Sequence, residues 1–504
     1  MYKLSRLPEP SLEFAFGQQT EDPRDGITLF GPLDRAKPYG IQAGVVGTKR
    51  GIELFGRWVE TIQGPIHSDP ADVGRPSFPG FETAFRASWG GRPTLQAEID
   101  ESDIDECVYL DDPYQRVYRT VDLYVSRISA LLTSEDPSPN VWFVVVPDRV
   151  YHYCRPKSTV ETALRRPADR TISRDFAQQL EDWGSLFPED YKAAVPYQHE
   201  VNFHNQLKAR TLGSTAPIQV IRESSLAAGA DITGKTSAAE GRDLPAAIAW
   251  NLSTACFYKA GGRPWKAASV RDGVCYIGLV FKKRLQSPRA NSACCAAQMF
   301  MDSGDGMVFR GALGPWYDSA CREFHLDREA ARQLAAQVVE TYSSEHNGCP
   351  PSQVVLHGKV AFNDDEWDGF QAAMPSGTRA VGVAIRASDL KVYRPSRYPL
   401  LRGMAFVMDK RFAYLWTKGY IPRLQRYPGF EVPNPLTVRV THGDADLPMV
   451  LHDIMVLTKL NYNNCTHSSG YPVTLDFAEA VGEIITAAPV KADGASPRQF
   501  KFYI

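Results

Sequence analysis

The fold class of this chain is decided by the stretch Val141-Trp142-Phe143-Val144-Val145-Val146, an uninterrupted apolar run that ends at Pro147-Asp148. A strand with one solvated face alternates apolar and polar side chains. A short run without alternation is typical of a strand that is buried on both faces of a parallel sheet. The run therefore predicts an α/β domain.

Elements that fit such a domain follow this strand along the chain. Residues 197–210 have the pattern of a helix, and Ile218-Gln219-Val220-Ile221 has the pattern of a strand. A second helix is predicted over 244–259, with Pro245 near its start and Gly261-Gly262 at its end.

The sequence of the second half predicts a different order of strands and helices. Strands are expected at 274–281, 296–301 and 307–310, then a helix over 328–342 and a buried strand at 354–357. Later strands are expected at 380–386, 403–408, 413–417 and 436–440, followed by a helix capped by Asp446. The order strand, strand, strand, helix, strand is that of the RNase H-like fold. We expect the boundary between the halves near 265–272.

Length and composition exclude several classes of protein. The chain has 504 residues and a formal net charge of −2. No apolar run approaches the ~18 residues of a membrane-spanning helix, and the first residues lack a signal-peptide core, so we expect a soluble, cytoplasmic protein with no membrane partner. Nine cysteines without a C-x-x-C pair are typical of reduced thiols rather than of a disulfide framework or a zinc site.

Any binding of nucleic acid has to be local, because domains that bind phosphates are usually clearly basic and this chain is not. Residues 259–289 provide such a patch, with eight Lys and Arg residues against Asp272, a net charge of +7. A solvated basic face is the alternative interpretation of the same cluster.

Four polar side chains from three predicted elements form a candidate phosphate site. His204 and Lys208 are four residues apart and therefore share one face of the first helix. Gln219 lies on the strand that follows, and Lys259 lies in the last turn of the second helix. Together these side chains can donate several charge-assisted hydrogen bonds, which a phosphate needs to offset its lost hydration. Each residue taken singly has another interpretation, and these alternatives stay open. His204 is then an ordinary surface or core histidine, and Lys259 only complements the negative end of its helix dipole.

The combination resembles the guide 5′-end pocket in the MID domain of Argonaute proteins. That family uses an aromatic residue or His, a Lys four residues on, a Gln on the next strand and a Lys before a Gly-Gly turn, and the steps match His204, Lys208, Gln219 and Lys259. In many prokaryotic members the C-terminal carboxylate also holds a divalent cation against the guide phosphate. The resemblance therefore implies that Ile504 binds Mg²⁺ there, since Mg²⁺ prefers carboxylate and phosphate oxygens. The chain ends with the apolar residues Phe502-Tyr503-Ile504, and such a tail is equally typical of a packed strand.

Residues 271–504 resemble an Argonaute PIWI domain. The segments that carry the resemblance are Val274–Phe281, Gln353–Lys359, Leu457–Asn464 and Tyr471–Thr474. Active members place aspartates at the end of the first strand and just after the strand that ends in His, because two metals must be held about 4 Å apart. Val280 and Lys359 occupy those positions here, and neither can ligate a metal. The resemblance implies no catalytic residues and no slicing.

The resemblance as a whole implies an α/β fold in two parts. A Rossmann-like MID domain with an N-terminal extension is expected over residues 1–270, and an inactive, RNase H-like PIWI domain over 271–504. A chain of this length without room for a PAZ domain is similar to short prokaryotic Argonautes, especially those encoded with a TIR-APAZ protein.

Membership of that group implies the role of a sensor subunit. Such a protein loads a guide RNA, pairs it with single-stranded target DNA from an invading plasmid or phage, and activates an NAD-consuming TIR-APAZ partner. The partners are expected to form a heterodimer that oligomerises on target binding, with the NADase activity on the partner chain. A Sir2-APAZ partner is the alternative, and the sequence does not choose between them.

A second motif points to a different class of protein. Gly229-Ala230-Asp231-Ile232-Thr233-Gly234-Lys235-Thr236 fits the P-loop pattern GxxxxGK[ST], which is typical of a nucleotide hydrolase. A P-loop joins a buried strand to a helix, and neither flank of this motif has apolar periodicity. We therefore predict a loop of small residues here, between the strand of Gln219 and the helix of Lys259.

Overall fold

The computed structural model describes residues 3–69, 73–134, 138–184, 187–230, 245–283, 293–301, 306–314, 316–318, 322–393, 395, 398–427, 429, 431–489 and 498–504. The strands are β1 Lys3–Arg6, β2 Leu12–Glu13, β3 Gln19–Thr20, β4 Gly40–Ile41, β5 Ala43–Gly47, β6 Ser88–Trp89, β7 Leu95–Glu98, β8 Val141–Val146, β9 Ile218–Arg222, β10 Lys266–Ala267, β11 Val274–Lys283, β12 Ala293–Phe300, β13 Gly306–Gly314, β14 Tyr317–Asp318, β15 Glu323–Phe324, β16 Gln353–Gly358, β17 Arg379–Ala387, β18 Met404–Val407, β19 Phe412–Leu415, β20 Leu436–His442 and β21 Arg498–Gln499.

The helices are α1 Pro23–Phe30, α2 Lys49–Thr61, α3 Phe81–Phe85, α4 Glu101–Val108, α5 Pro113–Ser134, α6 Asp148–Tyr153, α7 Arg174–Trp183, α8 Pro188–Ala194, α9 Phe203–Thr211, α10 Glu223–Ala230, α11 Pro245–Lys259, α12 Arg328–Glu345, α13 Asp364–Ala372, α14 Leu447–Leu457, α15 Val473–Asp476 and α16 Ala478–Thr486. Within the ranges given above, no helix combines the length and the apolar character that crossing a bilayer requires.

The first half contains a sheet of four parallel strands in the order β7-β5-β8-β9. All side chains of β8 are buried, because β5 and β9 flank it and helices cover both of its faces. Phe143 packs against Phe55 of α2, with ring centroids 4.7 Å apart, whereas Trp142 points into the cluster formed with α5 and α9. The predicted buried strand and the Rossmann-like architecture are confirmed.

The second half is built on a sheet of ten strands in the order β1-β18-β19-β20-β17-β16-β11-β12-β13-β21. Within it, β11 and β12 are antiparallel, and β11, β16 and β17 are parallel, as in the RNase H-like fold. Alternate residues of β11 enter two cores: Ile277 packs with α12 and α13, and Tyr276 packs with α14. The predicted fold class is confirmed.

The N-terminal segment also contributes to the larger sheet. β1 pairs with β18 in antiparallel register, from Lys3 opposite Val407 to Arg6 opposite Met404. The short strand β2 pairs with β10 at the junction of the two halves. The first residues of the chain therefore pack against the second half as well as the first.

Two expectations about local structure are wrong. The helix expected from residue 197 begins at Phe203, because residues 195–198 form a 3₁₀ turn and the Asn202 side chain caps the helix that follows. The loop expected after β9 begins as helix α10. Leu226 of α10 is fully buried, and Gly229 lies so close to Trp58 that a Cβ would come within 2.9 Å of its ring, so tertiary packing stabilises this helix.

Candidate nucleic-acid interface

The elements α9, β9 and α11 bring the four predicted phosphate-binding residues into one region. The Asn202 side chain accepts a hydrogen bond from the N–H of Asn205 at 3.3 Å and so fixes the start of α9. Phe203 and Leu207 of α9 pack into the core of the parallel sheet, and Lys208 is carried into the interior beside them.

Two of these residues are lysines whose ammonium groups are almost completely buried. Lys208 is 3% exposed and Lys259 is 1% exposed. The Lys259 Nζ donates to the Gln219 Oε1 at 2.5 Å and to the carbonyl of Ile218 at 3.3 Å. The Lys208 Nζ donates to the carbonyl of Tyr503 at 3.1 Å. Both ammonium groups are therefore held by neutral acceptors.

No carboxylate lies within 4.0 Å of either ammonium in the described part of the chain, so their charges are not neutralised there. Burial lowers the pKa of Lys259 to about 8. Burial, and then the charge of Lys259, lowers the pKa of Lys208 well below its ordinary value. Two buried lysines without a counter-ion in the described residues form a site where an anion would favour their charged forms.

His204 lies one helical turn before Lys208 and remains accessible to solvent. Its Nδ1 lies 3.2 Å from the Asn205 Oδ1. Desolvation by the surrounding protein lowers the pKa of the imidazole, and the charge of Lys208 is the next cause. The ring is thus a neutral, accessible aromatic surface next to the two cations at neutral pH.

The two halves of the protein meet at this region. The last residue, Ile504, is buried and directly follows the carbonyl that Lys208 binds. Nearby, the Asn205 Nδ2 donates to the Glu483 Oε2 at 3.2 Å, and Glu483 also pairs with Lys282 at 2.8 Å. Side chains of α9 are therefore fixed partly by α16 and β11 of the second half.

A cavity of about 520 Å³ opens beside His204. Its lining residues are Val146, Val150, Tyr151, Cys154, Arg155, Asn202, Phe203, His204, Asn205, Val220, Ile221, Arg222, Ser225, Ile248, Asn251 and Leu252. The guanidinium groups of Arg155 and Arg222 lie 4.2 and 4.5 Å from the centre of the Tyr151 ring. Among the residues that the structure describes, neither the site residues Lys208, Gln219 and Lys259 nor any acidic side chain lines this cavity.

Three residues of this cavity, Tyr151, Arg155 and Arg222, are not among the site residues predicted from the sequence. A signal for Arg222 was present, because it lies at the carboxyl end of a buried parallel strand, where ligands bind in open α/β sheets. Tyr151 and Arg155 follow β8 at the same edge of the sheet, but their convergence depends on how α6 packs.

The positions expected to hold nuclease aspartates lie side by side in the second half. Val280 is near the end of β11, and Lys359 directly follows β16, the strand that pairs with β11 in parallel. Both line one cavity of about 350 Å³. In the described part of the chain, no group of three or more His, Cys, Asp or Glu side chains is arranged to hold a metal ion. Helix α13 begins at Asp364, next to this region of the chain, and the Asn363 side chain caps it.

Comparisons with known proteins give matches only at the level of structure. The sequence matches no protein-family model, and a search of curated proteins gives no match. Among solved structures, Clostridium butyricum Argonaute bound to a guide DNA and a 19-mer target DNA has a TM-score of 0.66 at 15% identity, covering 100% of this chain and 55% of that one. Drosophila Piwi has a TM-score of 0.56 at 11% identity, covering 99% of this chain and 56% of that one. A. aeolicus Argonaute has a TM-score of 0.53 at 12% identity, covering 98% and 54%.

The chain therefore has an Argonaute fold. It spans about half the length of the Argonautes that it matches, and the architecture corresponds to their MID-PIWI lobe. At these identities, the likeness establishes the fold and not the ligands or the chemistry.

The structure also shows where the first residues of the P-loop-like motif lie. β9 ends at Arg222 and α10 begins at Glu223, so the turn that follows this strand is not made by the motif. Gly229 lies within α10 instead of in a loop before a helix, and its close approach to Trp58 explains the glycine. Residues Asp231–Thr236 lie outside the described residues.

Proposed function

We propose that this chain holds a guide RNA by its 5′-phosphate and uses it to recognise complementary single-stranded DNA without cutting it. The observation that carries the proposal is the pair of buried ammonium groups of Lys208 and Lys259, which have neutral acceptors and no carboxylate in the described residues. Burying an ion without a partner costs several kcal/mol. A phosphate dianion between the lysines offsets that cost by neutralising both.

The cavity beside His204 is suited to the first nucleotide of the guide. Its volume of about 520 Å³ is within the range of roughly 300–1,000 Å³ that is typical of ligand sites. His204 and Tyr151 offer aromatic faces on which a base can stack. Arg155 and Arg222 supply positive charge at the same place, which attracts the phosphates that follow.

Mg²⁺ fits this site only together with the guide phosphate. The buried Ile504 carboxylate follows the carbonyl bound by Lys208, so one carboxylate and phosphate oxygens could act as ligands. That set suits Mg²⁺, which is commonly bound through one or two carboxylates and a substrate phosphate. When bound, the ion adds positive charge next to the phosphate.

The Argonaute fold supports a guided function, since the solved relative from Clostridium butyricum is bound to a guide DNA and a target DNA. The absence of cleavage is supported by Val280 and Lys359, because an apolar side chain and a cation replace the metal-binding groups of a nuclease. In this proposal the chain recognises nucleic acid and leaves it intact.

The biological role in the proposal rests on the sequence resemblance. We infer a cytoplasmic sensor subunit that detects plasmid or phage DNA as a heterodimer with a TIR-APAZ protein, which consumes NAD after the complex oligomerises on target. A Sir2-APAZ partner is the alternative. Co-purification of this chain with each candidate distinguishes them, and NAD loss is expected only when guide and matching target are both present.

The guided function is tested with the chain loaded with 5′-phosphorylated RNA of fixed sequence. We expect tight binding of the complementary DNA, weak binding of a scrambled DNA of equal length, and intact DNA after incubation with Mg²⁺. Equal binding of the two DNAs, or binding that does not need the guide, would contradict the proposal.

A further inference from the structure

An exposed surface of the first half combines aromatic rings with cations. We name it the N-terminal patch and define it by five side chains that are all exposed to solvent: Phe16, Arg35, Lys37, Tyr39 and Arg86. The Phe16 side chain is 70% exposed and that of Tyr39 is 84% exposed. Single exposed rings are common on proteins, but rings grouped with cations are typical of a binding surface.

Contacts between short segments bring Phe16, Arg35 and Arg86 together. The Arg35 guanidinium lies 3.9 Å from the centre of the Phe16 ring. The N–H of Ala15 donates to the carbonyl of Gly31 at 3.5 Å, so Gly31 lies beside the backbone of Phe16. A Cβ on Gly31 would lie 3.5 Å from the Arg86 Cγ. Arg86 therefore borders the turn that carries Phe16.

Tyr39 is joined to the same surface through Ser88. The Ser88 hydroxyl donates to the carbonyl of Tyr39 at 3.4 Å, and Ser88 lies two residues after Arg86. Gly40 of β4 is the partner of Ser88 of β6 in their parallel pairing. Lys37 lies between Arg35 and Tyr39 in the sequence. The five side chains thus come from neighbouring segments of one surface.

Phe16 has a backbone conformation that large side chains rarely adopt. Its φ of 60° and ψ of 23° lie in the left-handed region. The turn is closed by the N–H of Phe14, which donates to the carbonyl of Gln18 at 2.9 Å. Glycine adopts this conformation at little cost, so the turn itself does not require an aromatic ring. Such strained residues cluster at ligand-binding sites, and an exposed ring here fits that role.

The three cations of the patch are available to an anion. Within the described ranges of the chain, no carboxylate lies within 4.0 Å of Arg35, Lys37 or Arg86. The neighbouring acid Asp34 is already engaged, because its Oδ1 lies 2.9 Å from the Arg263 Nη2. Aromatic rings that stack bases, next to cations that attract phosphates, are the combination that binds single-stranded nucleic acid without sequence preference.

The N-terminal patch adjoins the segment that follows Lys259. The N–H of Leu33 donates to the carbonyl of Pro264 at 3.0 Å, and the N–H of Asp34 donates to the carbonyl of Arg263 at 3.1 Å. Lys259 is the last residue of α11, four residues before Arg263. The patch is therefore a neighbour of the helix end that carries part of the proposed phosphate site.

We propose that the N-terminal patch binds the unpaired DNA that flanks the paired target on its 3′ side. Because the two strands of a duplex are antiparallel, the target continues in its 3′ direction from the point opposite the 5′ end of the guide. The inference rests on the proposed function, since the guide determines where pairing ends. Bases of the flank stack on Phe16 and Tyr39, and the cations contact the phosphates between them. The patch adds affinity for the target without reading its sequence.

The test uses the full chain loaded with 5′-phosphorylated guide RNA and three DNAs as probes. One DNA ends opposite the first guide nucleotide, the second continues by about ten thymidines at its 3′ end, and the third carries the same extension at its 5′ end. We expect the wild-type chain to bind the 3′-extended DNA about tenfold more tightly than the other two, because stacking on an aromatic ring contributes about 1–3 kcal/mol per base.

The patch variant is Phe16→Gly/Arg35→Ala. Glycine suits the backbone at position 16, so this variant is expected to unfold at the temperature of the wild-type chain or above it. The matched control is Tyr393→Ser/Arg127→Ala, which removes one exposed ring and one exposed cation outside the patch. We expect the patch variant to lose the preference for the 3′ extension and to keep its affinity for the unextended DNA. The control should keep both.

The outcomes separate the two proposals. Equal binding of the three DNAs by the wild-type chain, or an equal preference for the 3′ extension in the patch variant and the control, would overturn the inference while the guided function stands. A patch variant that keeps the preference but assembles poorly with a protein partner would assign the patch to protein docking and also overturn it. If the wild-type chain binds the unextended DNA without needing the guide, the guided function is overturned and the inference falls with it.

Discussion

A Lys208→Met variant is expected to be more stable than the wild-type chain and to lose its preference for a 5′-phosphate. Lys208 is 3% exposed, and among the described residues its ammonium group donates to one backbone carbonyl and to no carboxylate, so an apolar side chain of similar length removes a buried group without a counter-ion there. Because burying an uncompensated ion costs several kcal/mol, we expect this replacement to stabilise the guide-free protein by at least about 1 kcal/mol. Chemical denaturation of the guide-free protein measures the first effect, with the exposed Lys192→Met as control. A stability below that of wild type would show that the ammonium has a partner of its own.

The affinity for a 5′-phosphate is expected to be highest between about pH 6 and 8. Burial lowers the pKa of Lys259 to about 8 in the guide-free protein, and phosphate binding raises it, so affinity falls as the pH rises through 8. Below about pH 6 the phosphate gains a proton and loses its second charge. Guide affinity measured from pH 5 to pH 9.5 checks this window. An RNA with a 5′-hydroxyl should show a flatter profile, and identical profiles for the two RNAs would contradict the assignment.

At the scale of elements, segments with a complete local signal could be predicted from the sequence. The strand Val141–Val146 is found within its expected bounds because burial on both faces leaves an unbroken apolar run. Helix α12 is found because Asp327 caps it through the N–H of Ala330 and its apolar residues recur on one face. Helix α10 was missed because its small residues carry no periodicity, and contacts such as that of Gly229 with Trp58 are visible only in three dimensions.

In the candidate site, too, features with a local sequence signal could be predicted, and features that depend on tertiary contacts could not. His204 and Lys208 could be paired from helical spacing alone, and Gln219 and Lys259 from the elements that follow. The hydrogen-bond partner of Lys208 could not be predicted, because the Tyr503 carbonyl comes from a distant part of the chain. The site residues could therefore be predicted from the sequence. The buried surroundings that lower the pKa values of the two lysines could not, because they depend on tertiary packing.

Restoring aspartates at the strand ends is not expected to restore cleavage. In a Val280→Asp/Lys359→Asp variant the two carboxylates would be adjacent at the ends of β11 and β16, but two-metal chemistry needs further ligands. Glu366, a buried acid that lines the same cavity, is held by His325 and the N–H of Leu326. Guided cleavage assays with Mg²⁺ and Mn²⁺ are expected to show intact DNA. Robust cleavage would mean that the remaining ligands are in place.

At the scale of the whole molecule, a buried ionic cluster joins the N-terminal segment to the second half. Glu9 accepts from the Arg402 Nε at 2.9 Å and from the Lys459 Nζ at 2.9 Å, and the His467 Nε2 lies 3.3 Å away. The Lys459 side chain is 0% exposed. Burial opposes ionisation of Glu9, but Arg402 and the other cations outweigh it and hold the pKa of this carboxyl well below its ordinary value.

A Glu9→Gln variant is expected to lose about 3–5 kcal/mol of stability, because it leaves two buried cations without their carboxylate. The depressed pKa gives the wild-type chain stability that is present above the ordinary value of 4.5 and lost as the pH falls below it. Unfolding measured at pH 7 and at pH 4 checks both effects. The difference between wild type and Glu9→Gln should shrink at the lower pH, and a constant difference would contradict the role of the charge.

Recognition of the guide 5′-phosphate by Lys208 and Lys259 is tested most directly by one binding measurement. Dissociation constants are compared for two RNAs of identical sequence, one with a 5′-phosphate and one with a 5′-hydroxyl, at about pH 7. Two charge-assisted hydrogen bonds predict at least about a tenfold preference for the phosphate in the wild-type chain, and none in a Lys208→Ala/Lys259→Ala variant. Equal affinities for the two RNAs in the wild-type chain would contradict the account.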